Sequence, residues 1–118
     1  MSWGTVELEP EVRAWLEDLP ATLFARVVFY VDLLAAEGPL LGKPYTKQLD
    51  GKLRELRFHL DELAMRITYW IAPGRRIVLL TVFSKTRARD DREIKRARRA
   101  MRRCIALAHT VDEEEEAV

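Results

Sequence analysis

The sequence predicts an α+β fold of order β-α-α-β-β-β-α, and three observations carry that reading. Apolar residues recur at helical spacing in two early runs separated by Pro20. Short strand-like segments with tight links then follow one another, as in an antiparallel meander. The chain closes on a helical pattern crowded with Lys and Arg.

The elements follow in order. "WGTVELE" alternates weakly and reads as a first strand. Pro10 suits the first turn of a helix, on which Val12, Trp15, Leu16 and Leu19 share a face. Asp18 is placed to cap a second helix, whose apolar stripe is Leu23, Phe24, Val27, Val28, Val31 and Leu34. "EGP" ends it, with the glycine as C-cap and proline beyond. The two helices read as an antiparallel hairpin. "LLGKPYTKQLDGK" has the composition of a loop. "KLRELRF", "LAMRITYWI" and "RRIVLLTVF" are three strands, the last two joined through the turn signal "APGR". Asp90 or Asp91 opens the last helix, where a carboxylate favours the N-terminus. Its apolar stripe is Ile94, Ala97, Met101, Cys104, Ile105 and Ala108. Residues 1–111 form one domain, and 112–118 an acidic tail with nothing to bury, expected to be disordered.

Bulk properties narrow the class. The 118 residues suffice for one core, and 48% hydrophobic with 33% charged describes a soluble globular protein. No apolar run approaches the roughly 18–20 residues that span a bilayer, so no membrane is expected. The N-terminus shows no signal peptide, and one cysteine, Cys104, permits no internal disulfide; a cytoplasmic protein is expected. His59 and His109 lack metal-ligand spacing, so neither a metal nor another cofactor is expected. The net charge of +1 conceals an asymmetry: ten of the twenty basic residues lie between Lys85 and Arg103, against Asp90, Asp91 and Glu93.

Strand alternation gives that basic cluster a use. Covering one sheet face with the helical pair assigns Leu56, Phe58, Met65, Ile67, Tyr69, Val78, Leu80 and Val82 to the core. Glu55, Arg57, Arg66, Thr68, Trp70, Leu79, Thr81 and Phe83 then take the other face. A one-residue slip would invert the lists; burying unpaired Arg57 and Arg66 would be costly, which favours this register. Lys85, Arg87 and Arg89 follow the third strand at the edge of the same face. Several guanidinium groups in one hollow suit phosphate, and Trp70 and Phe83 suit base stacking. Alternatively, Arg57 and Arg66 pair with Glu55 or Asp61, and the aromatics lie under the last helix or a partner segment. Arg92, Lys95, Arg96 and Arg99 offer a phosphate-binding face on the last helix, or a solvated one.

The stretch "LDGKLRELRF…MRITYW…RRIVLLTVFSKTRARDDREIKRARRAM" resembles the RelE/ParE toxin superfamily of type II toxin–antitoxin systems, and within it the phage-derived HigB-like branch. Leu49, Gly51, Leu53, Glu55, Leu56 and Arg57 match its Leu-x-Gly-x-Leu-x-Glu-Leu-Arg strand. Arg66, Ile67 and Tyr69 match a second strand; Phe83, Lys85 and Thr86 the end of a third; Glu93, Ile94 and Ala97 the closing helix. The resemblance implies a RelE-like fold and a ribosome-associated endoribonuclease that cleaves mRNA without metal. In that chemistry the 2′-hydroxyl attacks the adjacent phosphate and cationic side chains stabilise the charge that develops. It further implies neutralisation by a cognate antitoxin, expected to be a helix-turn-helix DNA-binding protein. Arg57 and Arg66 match positions where the family places basic residues in its site, and Lys85 and Arg87 match its basic loop; Arg57, Arg66, Lys85 and Glu55 are the expected catalytic residues. This chain departs at Thr81 and Ile94, where relatives place His and Tyr, at Ser84, where they place a second Lys, and at Glu55, where classical members place Lys. Glu55 would be the base if it faces the open side with a raised pKa. The competing classes are a ParE-like DNA gyrase inhibitor and a non-catalytic RNA-binding module.

Overall fold

The computed structural model describes residues 2–86 and 90–117, with side chains described as far as Leu107. In chain order it forms β1 (Thr5–Leu8), α1 (Pro10–Glu17), α2 (Ala21–Glu37), a 3-10 turn (Gly38–Leu40), β2 (Thr46–Asp50), β3 (Leu53–Leu60), β4 (Leu63–Ala72), β5 (Arg76–Ser84) and α3 (Asp91–Ala117). The sheet order is β1-β5-β4-β3-β2, with β1 parallel to β5 and the other pairs antiparallel. The meander is therefore as expected, with β1 added at its far edge.

β2 corrects the sequence reading, which made this stretch a loop. Gly42, Pro44 and Gly51 bracket it with turn signals, and its few residues leave little alternation to detect. Its order comes from outside: antiparallel pairing of Thr46 with Leu56 and Lys47 with Glu55 on β3. Thr46 Oγ1 also donates to the Leu41 carbonyl at 2.5 Å.

Pro10 sits in the first turn of α1, where its missing N–H costs nothing. Asp18 closes α1 rather than opening α2, whose N-cap is Pro20. At Gly38, the expected C-cap, φ is +57° and a Cβ would run into the Trp3 ring, so glycine is the residue that fits. The two helices do not form the hairpin as a unit in itself. α1 packs mainly on β5 and α2 on β3, so the sheet holds both.

On the side of α1 and α2, the core gathers Val12, Leu16, Val27, Leu34, Leu56, Phe58, Met65, Ile67, Tyr69, Ile77 and Leu79. On the other side, Leu53, Trp70, Ala72, Val78 and Leu80 pack under Ala97 and Ala100 of α3. The face assignments hold for β3 and for the end of β5, but Val78, Leu79 and Leu80 are exchanged. The cause is a bulge. Thr68 pairs with Thr81 while Tyr69 pairs with Leu79, which leaves Leu80 as the extra residue. Alternation is broken there, so Val82 returns to the α1–α2 side as expected.

α3 lies across the sheet on two alanines, small enough for close approach. Trp70 is 5% exposed beneath it, which overturns its assignment as a base-stacking surface. Arg96 is likewise committed. It binds Glu11 of α1, donates to Glu93 at 2.8 Å and reaches the Val82 carbonyl at 3.3 Å. Burial pulls Arg96 down, but the hydrogen bonds it donates to Glu11 and Glu93 hold it above the ordinary arginine value. It is a clamp joining α3, α1 and β5 rather than a free phosphate ligand. Arg98 pairs with Asp50 at 2.8 Å and secures β2 from the same helix. Cys104 is half-buried in the α3 layer, where burial pushes its thiol up. The α3 backbone runs through 112–117, the segment expected as a separate disordered tail; side chains beyond 107 lie outside the described residues. Among the described residues, no helix is long and apolar enough to cross a membrane.

Candidate functional site

Two cross-strand rows build the site. Lys47, Glu55, Thr68 and Thr81 are successive partners across β2, β3, β4 and β5. One step along, Arg57, Arg66 and Phe83 form the next row. Directly opposed strand residues stand about 5 Å apart at Cβ, so like charges on Arg57 and Arg66 repel unless something intervenes. Glu55 intervenes. Its Oε2 lies 3.5 Å from Arg57 Nε and 3.6 Å from Arg66 Nε.

Burial sharpens this contact. Glu55 and Arg66 are each 6% exposed, while Arg57 keeps about a third of its side chain in solvent. Desolvation lowers Arg66 from its ordinary value, and Arg57 lowers it further, while Glu55 and Asp90 pull the other way. Arg66 Nη1 donates to the Met65 carbonyl at 2.9 Å. The Nε–H groups of Arg57 and Arg66 make no hydrogen bond although both are buried. The expectation that Arg66 stands free on an open face is thus corrected. It lies inside the wall of a cleft, and a carboxylate with a main-chain carbonyl offset the cost of burying it.

That cleft, of 150 Å³, opens at the start of α3 and is lined by Lys47, Glu55, Arg66, Phe83, Lys85 and Asp90. Lys85 Nζ approaches Asp90 Oδ2 at 3.9 Å, and the Lys85 N–H donates to the Ala64 carbonyl at 2.7 Å. Asp90 accepts the first backbone hydrogen bond of α3 from Ile94, at the cleft's edge. In the neighbouring row, Thr68 and Thr81 share a 2.5 Å hydrogen bond, and the Thr81 N–H also donates to Thr68. Thr81 is therefore one of a satisfied structural pair, 2% exposed.

Four expected residues converge here: Glu55, Arg66, Lys85 and, through Glu55, Arg57. Phe83 joins them at the rim, half-buried. Arg92, Lys95 and Arg99 do not line the cleft; they stay on the α3 surface. Arg87 and Arg89 lie outside the described residues. Sequence reasoning missed Lys47 because β2 was read as a loop, and Asp90 because it was weighed as a helix cap alone. Among the described residues no cluster of three His, Cys, Asp or Glu stands ready for a metal ion.

The chain resembles known proteins over most of its length. Residues 14–102 match the family described as phage-derived protein Gp49-like. HigB3 of Mycobacterium tuberculosis, a candidate toxin, is 35% identical over 81 residues, spanning 64% of this chain and 68% of the relative. The toxin–antitoxin complex RelBE2 of Mycobacterium tuberculosis contains a chain that superposes with a TM-score of 0.53 at 24% identity, covering 70% of this chain and 98% of that one. The RelE–RelB complex of Pyrococcus horikoshii matches with a TM-score of 0.54 at 21% identity, over 75% and 100%. A free-state mutant of E. coli toxin RelE matches with a TM-score of 0.57 at 12% identity, over 87% and 98%. At these identities the structural likeness is one of fold.

Proposed function

The chain belongs to the Gp49-like family of phage-derived proteins and is a RelE-like toxin of the type II toxin–antitoxin kind, and from that premise we propose that it is a metal-independent endoribonuclease acting on mRNA at the ribosome. The observation that carries this reading is the gathering of Arg57, Arg66, Lys47 and Lys85 from three strands and the following loop around the Glu55 carboxylate. In the reaction, the 2′-oxygen of the RNA attacks the adjacent phosphorus and the bond to the 5′-oxygen breaks. This leaves a 2′,3′-cyclic phosphate and a 5′-hydroxyl. Arg57 and Arg66, ion-paired to Glu55 in the free protein, offer guanidinium N–H groups to the phosphoryl oxygens as negative charge develops. Glu55 stands among them to take the 2′-hydroxyl proton, and Lys85 to supply one to the departing oxygen.

A cognate antitoxin completes the reading. An apolar groove lined by Trp15, Leu19, Leu23, Leu63 and Val82 shares Phe83 with the cleft. A helix or strand laid in it would reach across the catalytic groups. The helix-turn-helix character of that partner rests on the family resemblance.

The test is direct. Purified protein is added to translating ribosomes and the mRNA ends are mapped. Cleavage leaving cyclic phosphate ends, and lost in Arg66→Ala, supports the enzyme. Intact mRNA would refute it, and trapped gyrase–DNA complexes in its place would establish the gyrase-inhibitor reading.

A further inference from the structure

A second hollow adjoins the cleft and shares Arg66 with it. Pairing of β2 with β3 begins at Thr46 and Leu56, so β3 beyond that point has no strand on its outer side. The chain entering β2 turns across this gap: the Arg57 N–H donates to the Tyr45 carbonyl at 2.7 Å. A pocket of 350 Å³ opens there, lined by Tyr30, Tyr45, Arg57, His59 and Arg66. Arg66 also lines the cleft, so one guanidinium is the wall between the two hollows.

The aromatic groups are not equivalent. Tyr30 stacks on Phe58 with ring centroids 5.1 Å apart and planes 15° from parallel. That contact fixes Tyr30 against the core. Tyr45 stands 6.4 Å from Tyr30, tilted by 44°, and is 37% exposed. It is the more exposed of the two rings. Beside it, Arg57 exposes a third of its side chain, and His59 is exposed at the strand end. An aromatic ring next to guanidinium donors, beside a cationic cleft, is the combination by which single-stranded nucleic acid is held: rings for bases, cations for phosphates.

We propose that this pocket is a nucleobase subsite, in which the base next to the phosphate held at Arg66 stacks on Tyr45 and is flanked by Arg57. This rests on the reading of the cleft as an RNA-binding site. Stacking is tolerant of base identity, since every base has a π-face, so the subsite adds affinity and register more than a sequence preference. The pocket volume falls in the range of roughly 300–1,000 Å³ usual for small-ligand sites.

The experiment measures binding of the full chain to two fluorescently labelled tetranucleotides. One is single-stranded RNA; the other has the same ribose-phosphate backbone without bases. Tyr45→Ala is expected to weaken binding of the RNA about tenfold and to leave the abasic chain unchanged, whereas Tyr45→Phe keeps both affinities. Arg66→Ala is expected to weaken both ligands. Full RNA affinity in Tyr45→Ala, or equal losses on the two ligands, overturns the base subsite while leaving the cleft reading intact. Unchanged binding of both ligands by Arg66→Ala overturns the cleft reading itself. Failure of the unaltered protein to bind either ligand overturns both.

Discussion

The two faces of the sheet are sealed differently. Under α1 and α2, hydrocarbon runs from Val12 and Leu16 across Phe58, Met65, Ile67 and Leu79 without a buried charge among them. Under α3, the seal covers one end. Trp70, Val78 and Leu80 lie beneath Ala97 and Ala100, but Glu55, Arg66 and Lys85 occupy the other end, where the helix begins and its body no longer covers the strands. One face supplies stability; the other spends part of its area on charges that must be held by partners. Residues 66 and 67 compress the contrast into adjacent positions of β4, since Arg66 faces the cleft and Ile67 the core.

Substitutions can test this division, beginning with the largest effects. Arg66→Met should lower mRNA cleavage by about 10²–10³-fold, the usual consequence of deleting one donor to a developing oxyanion. The double variant Arg66→Met with Glu55→Leu, which removes both members of the buried pair, should keep or raise the unfolding free energy, because apolar side chains in place of a buried ion pair are often neutral or stabilising. A large stability loss in that double variant would make the cleft part of the core and break the comparison. Ile67→Ala should show the reverse. Denaturant titration should find about 2–5 kcal/mol of destabilisation, with the cleavage rate of the remaining folded protein kept.

Glu55→Gln removes the charge between two cations while keeping the shape. Cleavage should fall by about 10²–10⁴-fold, the range for losing a positioned acid–base group, with the RNA affinity retained. A matching loss of affinity would make Glu55 a positioning residue for Arg57 and Arg66 instead. Arg96→Ala breaks the clamp to Glu11, Glu93 and the Val82 carbonyl. Its thermal unfolding should report about 1 kcal/mol lost, the clamp being partly exposed. Arg26→Ala, at the exposed pair with Asp61, should change stability by less than about 1 kcal/mol. It serves as the control on the α1–α2 side.

Much of this arrangement was legible in the residue pattern. Spacing of two along β3 puts Glu55 and Arg57 on one face, and burial cost puts Arg66 with them. Three features resisted for separate reasons. Leu80 is a bulge, and a bulge breaks the alternation that any strand reading assumes. Trp70 alternates as a surface residue because nothing in its own strand reveals the helix that covers it. Tyr30 and Tyr45 meet from different elements, across a gap created by where β2 stops pairing.

Periodicity and residue chemistry were enough, without coordinates, to settle the class of fold, the three helices, the central meander and the cationic character of one sheet face. Each depends on interactions within a few residues or on the alternation of a single strand. Tertiary structure alone decided that Lys47 belongs to the site, that Glu55 sits between two arginines, that Arg96 is bound rather than free, and that Trp70 is covered. These depend on which strands become neighbours and where α3 begins to cover them, and such distant contacts are set by how the whole core packs.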